Sequence, residues 1–285
     1  GLAASFAVSG TGNTITQPAG VTNASGVITG SFTSTIAQTK TVTVTVGGTT
    51  VLTTQPTVTV NAGAVSPTLS TVAVAPASIV AGGSGSLVTV TVRDANNNPV
   101  PSATVVFAAT GSGNGFTAPA TTNASGVTSA TLTSTGAGAK VVSASVGAVT
   151  FTQQPTVTVV PGAVSATTST ATATTPITAG GAGSTLTITA RDAFNNLISG
   201  LAASFTVSGT GNTLTQPAGV TNASGVITGS FTSTFVQSKT VTVTISGATV
   251  LADQPIVFVN PGPLSAGNSL VTASSPIIAG GGAST

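Results

Sequence analysis

The sequence predicts an all-β protein made of tandem antiparallel β-sandwich modules of about a hundred residues each. Three observations carry that prediction. The hexapeptide TNASGV stands at residues 22–27, 122–127 and 221–226, 100 and then 99 residues apart, so one structural unit is written three times. Apolar residues alternate with Thr and Ser in short runs, the period of a half-buried strand and not of a helix. Turn residues (Gly, Asn, Asp, Pro) break those runs roughly every 8–12 residues, as in a sandwich.

The middle copy shows the elements in order. LVTVTV (87–92) is a half-buried strand with Val inward and Thr outward. DANNNP (94–99) is a turn, since Asn and Asp tolerate left-handed backbone and bond their own amides. ATVVFAA (103–109) is a second strand. TNASG turns the chain before the strand VTSATLT (127–133). KVVSASV (140–146) and VTFTQQPTVTVV (149–160) close the module. Phe107 and Phe205 occupy corresponding inward strand positions and are core candidates. Residues 1–40 align with 200–239 without a gap and differ at only five positions, which marks a recent duplication.

Boundaries fall in the stretches NAGAVSP (61–67), PGAVSAT (161–167) and PGPLSAG (261–267). Residues 1–63 thus form a partial module lacking its first strands. Residues 64–162 and 163–262 are complete modules, and 263–285 hold the first strand of a further one. Such short linkers predict modules arranged as a semi-rigid rod. The tail offers a strand of the kind that residues 1–63 lack. That suits either an array cut at an arbitrary phase or subunits whose tails complete their neighbours. The first is favoured, because the second strand (186–190) has no counterpart at either end.

Composition narrows the chemistry. Of 285 residues only 3% are charged, against about a quarter in an ordinary soluble domain. With 40% hydrophobic residues the chain still has material for a core, so disorder is excluded. The five cations are scattered, which gives no basic patch for nucleic acid. No apolar run reaches the roughly 18 residues of a spanning helix. His, Cys and Glu are absent, and the acids are Asp94, Asp192 and Asp253. One repeated carboxylate per module cannot hold calcium, zinc has no ligands, and no nucleophile–His pair exists. The AGG runs lack the Lys and helix of a phosphate cradle. The expectation is therefore no enzyme, no metal and no cofactor.

Several features share a fixed order: AGG, then TVTVRDANNNPV, then TTNASGVTSATLTST, then the AGAVS junction. In these the chain resembles bacterial Ig-like repeats of the invasin and intimin type over its whole length. The resemblance implies immunoglobulin-like sandwiches displayed in tandem outside the bacterial cell surface, mostly as spacers.

Four motifs are candidates for function. Asn23, Asn123 and Asn222 lie in Asn-Ala-Ser, an N-glycosylation acceptor pattern that is also good turn chemistry; the turn is favoured, and surface glycan is the alternative. Lys40, Lys140 and Lys239 occupy one equivalent position before a strand. A Lys–Asn isopeptide bond would need a carboxylate to shuttle protons. Rim ion pairs among Arg93, Asp94, Lys140, Arg191, Asp192 and Lys239 are favoured instead. TKTVTVTVGGTT (39–50) and SKTVTVTISGAT (238–249) place Thr at every second position, a ladder that could match ice but reads first as a solvent face. No Trp or Tyr is present for a lectin site.

These readings converge on a structural repeat segment of a long extracellular bacterial fibre, stalk or sheath. Low charge and Thr/Val edges would favour packing against neighbouring copies. The alternative is the spacer stalk of an adhesin whose binding tip lies elsewhere.

Overall fold

The computed structural model describes residues 1–273, 275–277 and 279–281. All regular structure among them is β-strand, and the chain divides into two compact units, Gly1–Gly162 and Ala163–Thr285.

In the second unit, two sheets face each other. One orders the strands Thr170–Ala173, Ser184–Thr189, Val226–Ser233 and Asn212–Thr215. The other orders Ile177–Thr178, Ile256–Asn260, Ser238–Ile245 and Ala203–Val207, with Thr249–Val250 added beside Ser238–Ile245. All pairs are antiparallel except Ile177–Thr178 with Ile256–Asn260, which run parallel. Alternation explains the core. Leu186, Ile188, Phe205, Phe231, Val241, Val243, Ile245, Leu251 and Val257 point inward and are buried, while the intervening Thr and Ser face water.

Residues 71–160 of the first unit repeat this plan. Asn114–Phe116, Val127–Ser134, Ser86–Thr91 and Thr71–Ala75 form one sheet. Val105–Ala109, Gly138–Val146, Thr156–Val160 and Ser78–Val80 form the other. Val72, Val88, Val90, Leu132, Val142, Phe151 and Val157 fill the space between. Phe107 is only half-buried; its ring lies 5.8 Å from that of Phe116. Phe205, the corresponding residue of the second unit, is fully inside.

Residues 1–63 carry the strands Ala4–Val8, Asn13–Thr16, Ser31–Ser34, Thr39–Val46, Thr50–Val51 and Thr57–Thr59. They have no counterparts of Thr71–Ala75 or Ser86–Thr91. Their inward residues, among them Phe6, Val44, Val46 and Leu52, line an open apolar groove of about 400 Å³. The strand expected within 263–285 is not formed among the described residues there, which make a turn at 266–268 with Ser269 N donating to Ser265 O. Residues 274, 278 and 282–285 of that expectation lie outside the described residues.

Phe231 is the test of this core, being 1% exposed at the centre of a four-stranded sheet. Phe231→Ala should cost roughly 3–5 kcal/mol. The check is a lower urea midpoint for the second unit; an unchanged midpoint would contradict the packing described.

Candidate functional site

The DANNN turn is the polar centre of the first unit. Asp94 begins an Asx turn in which its Oδ1 accepts from Asn96 N (2.9 Å) and Asn98 N (2.8 Å). Asn97 sits at φ 66°, a left-handed position that Asn tolerates, and its carbonyl accepts from Arg93 Nη1 at 2.8 Å. The other carboxylate oxygen accepts from Asn98 Nδ2 and from Gly63 N, both at 2.8 Å. Asp94 is 1% exposed, so four donated hydrogen bonds stand in for its water. Burial alone would raise its carboxyl. The Asn98 side chain and the amides of Gly63, Asn98 and Asn96 outweigh burial and hold the pKa below its ordinary 3.8.

Asn98 carries the contact onward. Its Nδ2 also donates to Thr35 O at 2.9 Å, and its Oδ1 accepts from Ala37 N at 2.9 Å. One amide thereby grips a peptide stretch of residues 1–63 through a donor and an acceptor, while Gly63 in the linker binds the same carboxylate. Both contacts are to backbone, so the grip does not depend on which side chains the preceding module presents. In the second unit Asp192 repeats the turn: its Oδ1 accepts from Phe194 N and Asn196 N, and its Oδ2 from Asn196 Nδ2. Arg191 Nη1 donates to Asn195 O, and Asn195 again has a positive φ.

The lysines are elsewhere. Lys40, Lys140 and Lys239 are at most 3% exposed, and each Nζ donates to a carbonyl of the turn after the strand it faces: Thr11 O, Ser112 O and Thr210 O at 2.7–2.9 Å. Glycines leave the room for the ammonium. A Cβ on Gly111 would come within 3.0 Å of Lys140 Nζ, and φ there is +78°. Burial pushes Lys239 below its ordinary 10.5. The expectation of exposed rim pairs is thus corrected for Lys140 and Lys239: both are interior, seated on backbone oxygen. Arg93 and Arg191 are half-buried and brace the Asx turns. Asp94 and Asp192 are buried inside those turns.

TNASGV also gains a physical account. Thr122 is 3% exposed and ties two segments, donating to Val100 O and accepting from Ala103 N; Thr221 does the same with Ile198 O and Leu201 N. Asn123 Oδ1 caps the turn by accepting from Ser125 N and Val127 N. Gly126 has φ 75°, and a Cβ there would meet Val92 O at 2.5 Å. Asn23, Asn123 and Asn222 themselves are exposed. The grip of Asn98 on its neighbour was missed from sequence. Its signal was the Asp-x-x-x-Asn spacing present in both complete copies.

Among the described residues no three His, Cys, Asp or Glu come together to hold a metal, and no helix is long and apolar enough to cross a membrane.

The carboxylate of Asp94 contributes stability above its ordinary 3.8 and loses it as pH falls through the lowered value. Spin labels at Thr14→Cys and Ser129→Cys, in a chain with no native cysteine, should give one narrow distance at neutral pH that broadens only below 3.8. Asn98→Ala, which deletes contacts worth about 1–3 kcal/mol, should broaden it already at neutral pH. An equally narrow distribution in that variant would show that the amide does not hold the junction.

Residues 66–162 match the family model of invasin domain 3, and residues 164–259 match the bacterial Ig-like domain (group 1). InvD of Yersinia pseudotuberculosis is 33% identical with a TM-score of 0.53, over 74% of this chain and 63% of that structure. The adhesin FdeC of Escherichia coli shares 23% identity and a TM-score of 0.54, covering 90% and 85%. Invasin, a bacterial integrin-binding protein, shares 24% and 0.54, covering 90% of this chain but 52% of that one. At those identities the last two show the fold alone. No curated protein matches the sequence. Domains of this type are non-enzymatic and structural, and the greater part of this chain consists of bacterial Ig-like domains of the invasin and intimin type.

Proposed function

We propose that the chain is a spacer segment in the extracellular stalk of a bacterial adhesin, with modules at 64–162 and 163–262 that set the distance between the cell surface and a binding tip elsewhere. The observation that carries this reading is the junction of the first unit. Asp94 and Asn98 tie linker and preceding module together through four contacts of 2.8–2.9 Å, counting the Asp94–Asn98 bond that couples them. A stalk must transmit position from one end to the other, and a hinge at each linker would defeat that. The match of residues 66–162 to invasin domain 3 supports the reading, and a location outside the bacterial cell is proposed with it. We prefer this to the fibre or sheath expected from composition, because the family model matched by residues 66–162 is a domain of invasin.

The test is adherence. Purified chain, coated on beads, should leave host cells unbound, and antibody against it should label native bacteria at a set height beneath an unlabelled tip. Saturable binding of the beads would make the segment itself the ligand-binding part and overturn the proposal.

The exposed Asn23, Asn123 and Asn222 are proposed first as turn caps, and as glycan sites only second. Intact mass of native material equal to the bare polypeptide is the expected result; added hexose mass on peptides containing these residues would reverse that order.

A further inference from the structure

The two complete copies of the repeat differ in how one edge strand is held. In the second unit that strand is Ala203–Val207, which pairs with Ser238–Ile245. Ser208 N donates to Thr240 O, so by the alternation of an antiparallel ladder Ser204 and Thr206 also face the paired strand, while Phe205 turns its backbone to the open side. Two anchors act there. The Gln216 amide clamps the open side, its Oε1 accepting from Phe205 N at 3.0 Å and its Nε2 donating to Phe205 O at 2.7 Å. The Phe205 ring goes inward, to 2% exposure, because Gly229 leaves it room: a Cβ there would stand 2.8 Å from the ring. Gln17, Phe6 and Gly30 repeat the same arrangement in residues 1–63.

The copy at 64–162 lacks both anchors. Its connection reads NGFTAP (114–119) against NTLTQP (212–217), so Ala118 stands in the place of Gln216 and the clamp on Phe107 N and O is gone. Ala130 stands in the place of Gly229, and its methyl takes the room that the ring would need. Phe107 is accordingly half-buried beside Phe116. The ends of the strand remain pinned. Ala103 N donates to Thr122 Oγ1 at 2.8 Å and Ala103 O accepts from Thr122 N at 3.0 Å. At the far end Thr110 N donates to Val141 O at 3.1 Å, and Asn114 Nδ2 to Ala109 O at 3.2 Å.

We propose that Val105–Ala109 opens locally at its centre, between those pinned ends, while the rest of the module stays folded. An edge strand has a ladder on one side only, so anchors on the other side set how often it lifts. Val106 adds none, since it points outward and is 58% exposed. The device gives the module at 64–162 a compliant strand that the module at 163–262 does not have. It goes beyond the stalk reading and holds whether or not the chain is a spacer.

Amide hydrogen exchange, read residue by residue on the whole chain, tests it. After correction for intrinsic rates, Val106 and Ala108 should exchange about tenfold or more faster than Ser204 and Thr206, the effect of one or two hydrogen bonds. Ala103 and Thr110 should stay as slow as their counterparts Leu201 and Ser208. Ala118→Gln should slow Val106 and Ala108 toward the values of the second unit, and Gln216→Ala should speed Ser204 and Thr206. Val142 and Val241, whose amides donate to Pro155 O and Pro255 O across the other side of the paired strands, should not change in either variant. Equal protection of Val106 and Ser204 overturns the proposal. So does exchange at Val106 that takes Ala103 and Thr110 with it, which would be unfolding of the whole segment, or a folded Ala118→Gln chain with unchanged rates. Should Ala118→Gln fail to fold, Gln216→Ala decides, and unaltered exchange at Ser204 and Thr206 overturns the proposal equally.

Discussion

A carboxylate sealed from water has to be answered by donors, and the answer given to Asp94 organises the first unit around it. Two of its four donors come from the turn it starts, one from the Asn98 amide and one from the linker at Gly63. The same charge that fixes the shape of the loop therefore draws in the chain on the other side of the junction. Asn98 is oriented by that carboxylate, and only in that orientation do its free hydrogen and its oxygen meet Thr35 O and Ala37 N. Replacing either residue would leave the other buried with unmet polar atoms, which costs more than the bond itself contributes.

The buried lysines follow the same rule with the sign reversed. Each ammonium is given a carbonyl, and those of Lys40 and Lys140 lie against turn glycines, so the strand is anchored to the turn it faces. Most of the charge in this protein is structural material used inside the modules, and the surface is left mainly to hydroxyls and apolar groups. A composition of 3% charged residues overstates even what solvent sees, because five of those eight are interior.

This explains what sequence could and could not show. Strand positions, facing and module period were legible because alternation and turn residues are local: Val88 and Val90 are inside, and Thr89 is on the outer face, as the pattern requires. The turn role of Asn123 was legible for the same reason. Lys140 was read as a rim residue because a charge before a strand ordinarily seeks water, and nothing local says that Gly111, on the turn after the facing strand, has cleared a place for it. Asn98 was read only as a turn former, since its partners at Thr35 and Ala37 are more than sixty residues away. Long-range satisfaction of a polar group leaves no periodic trace.

Where alternation fails, as at Ile256 and Phe258, the failure carries meaning of its own. Ile256 and Phe258 put large apolar groups where the earlier copies carry Thr, and each is left about half exposed. The internal use of charge thus sets the character of the outside: stiffness at the junction comes from a buried carboxylate and amides, while the outer faces are left mainly to methyls, rings and hydroxyls.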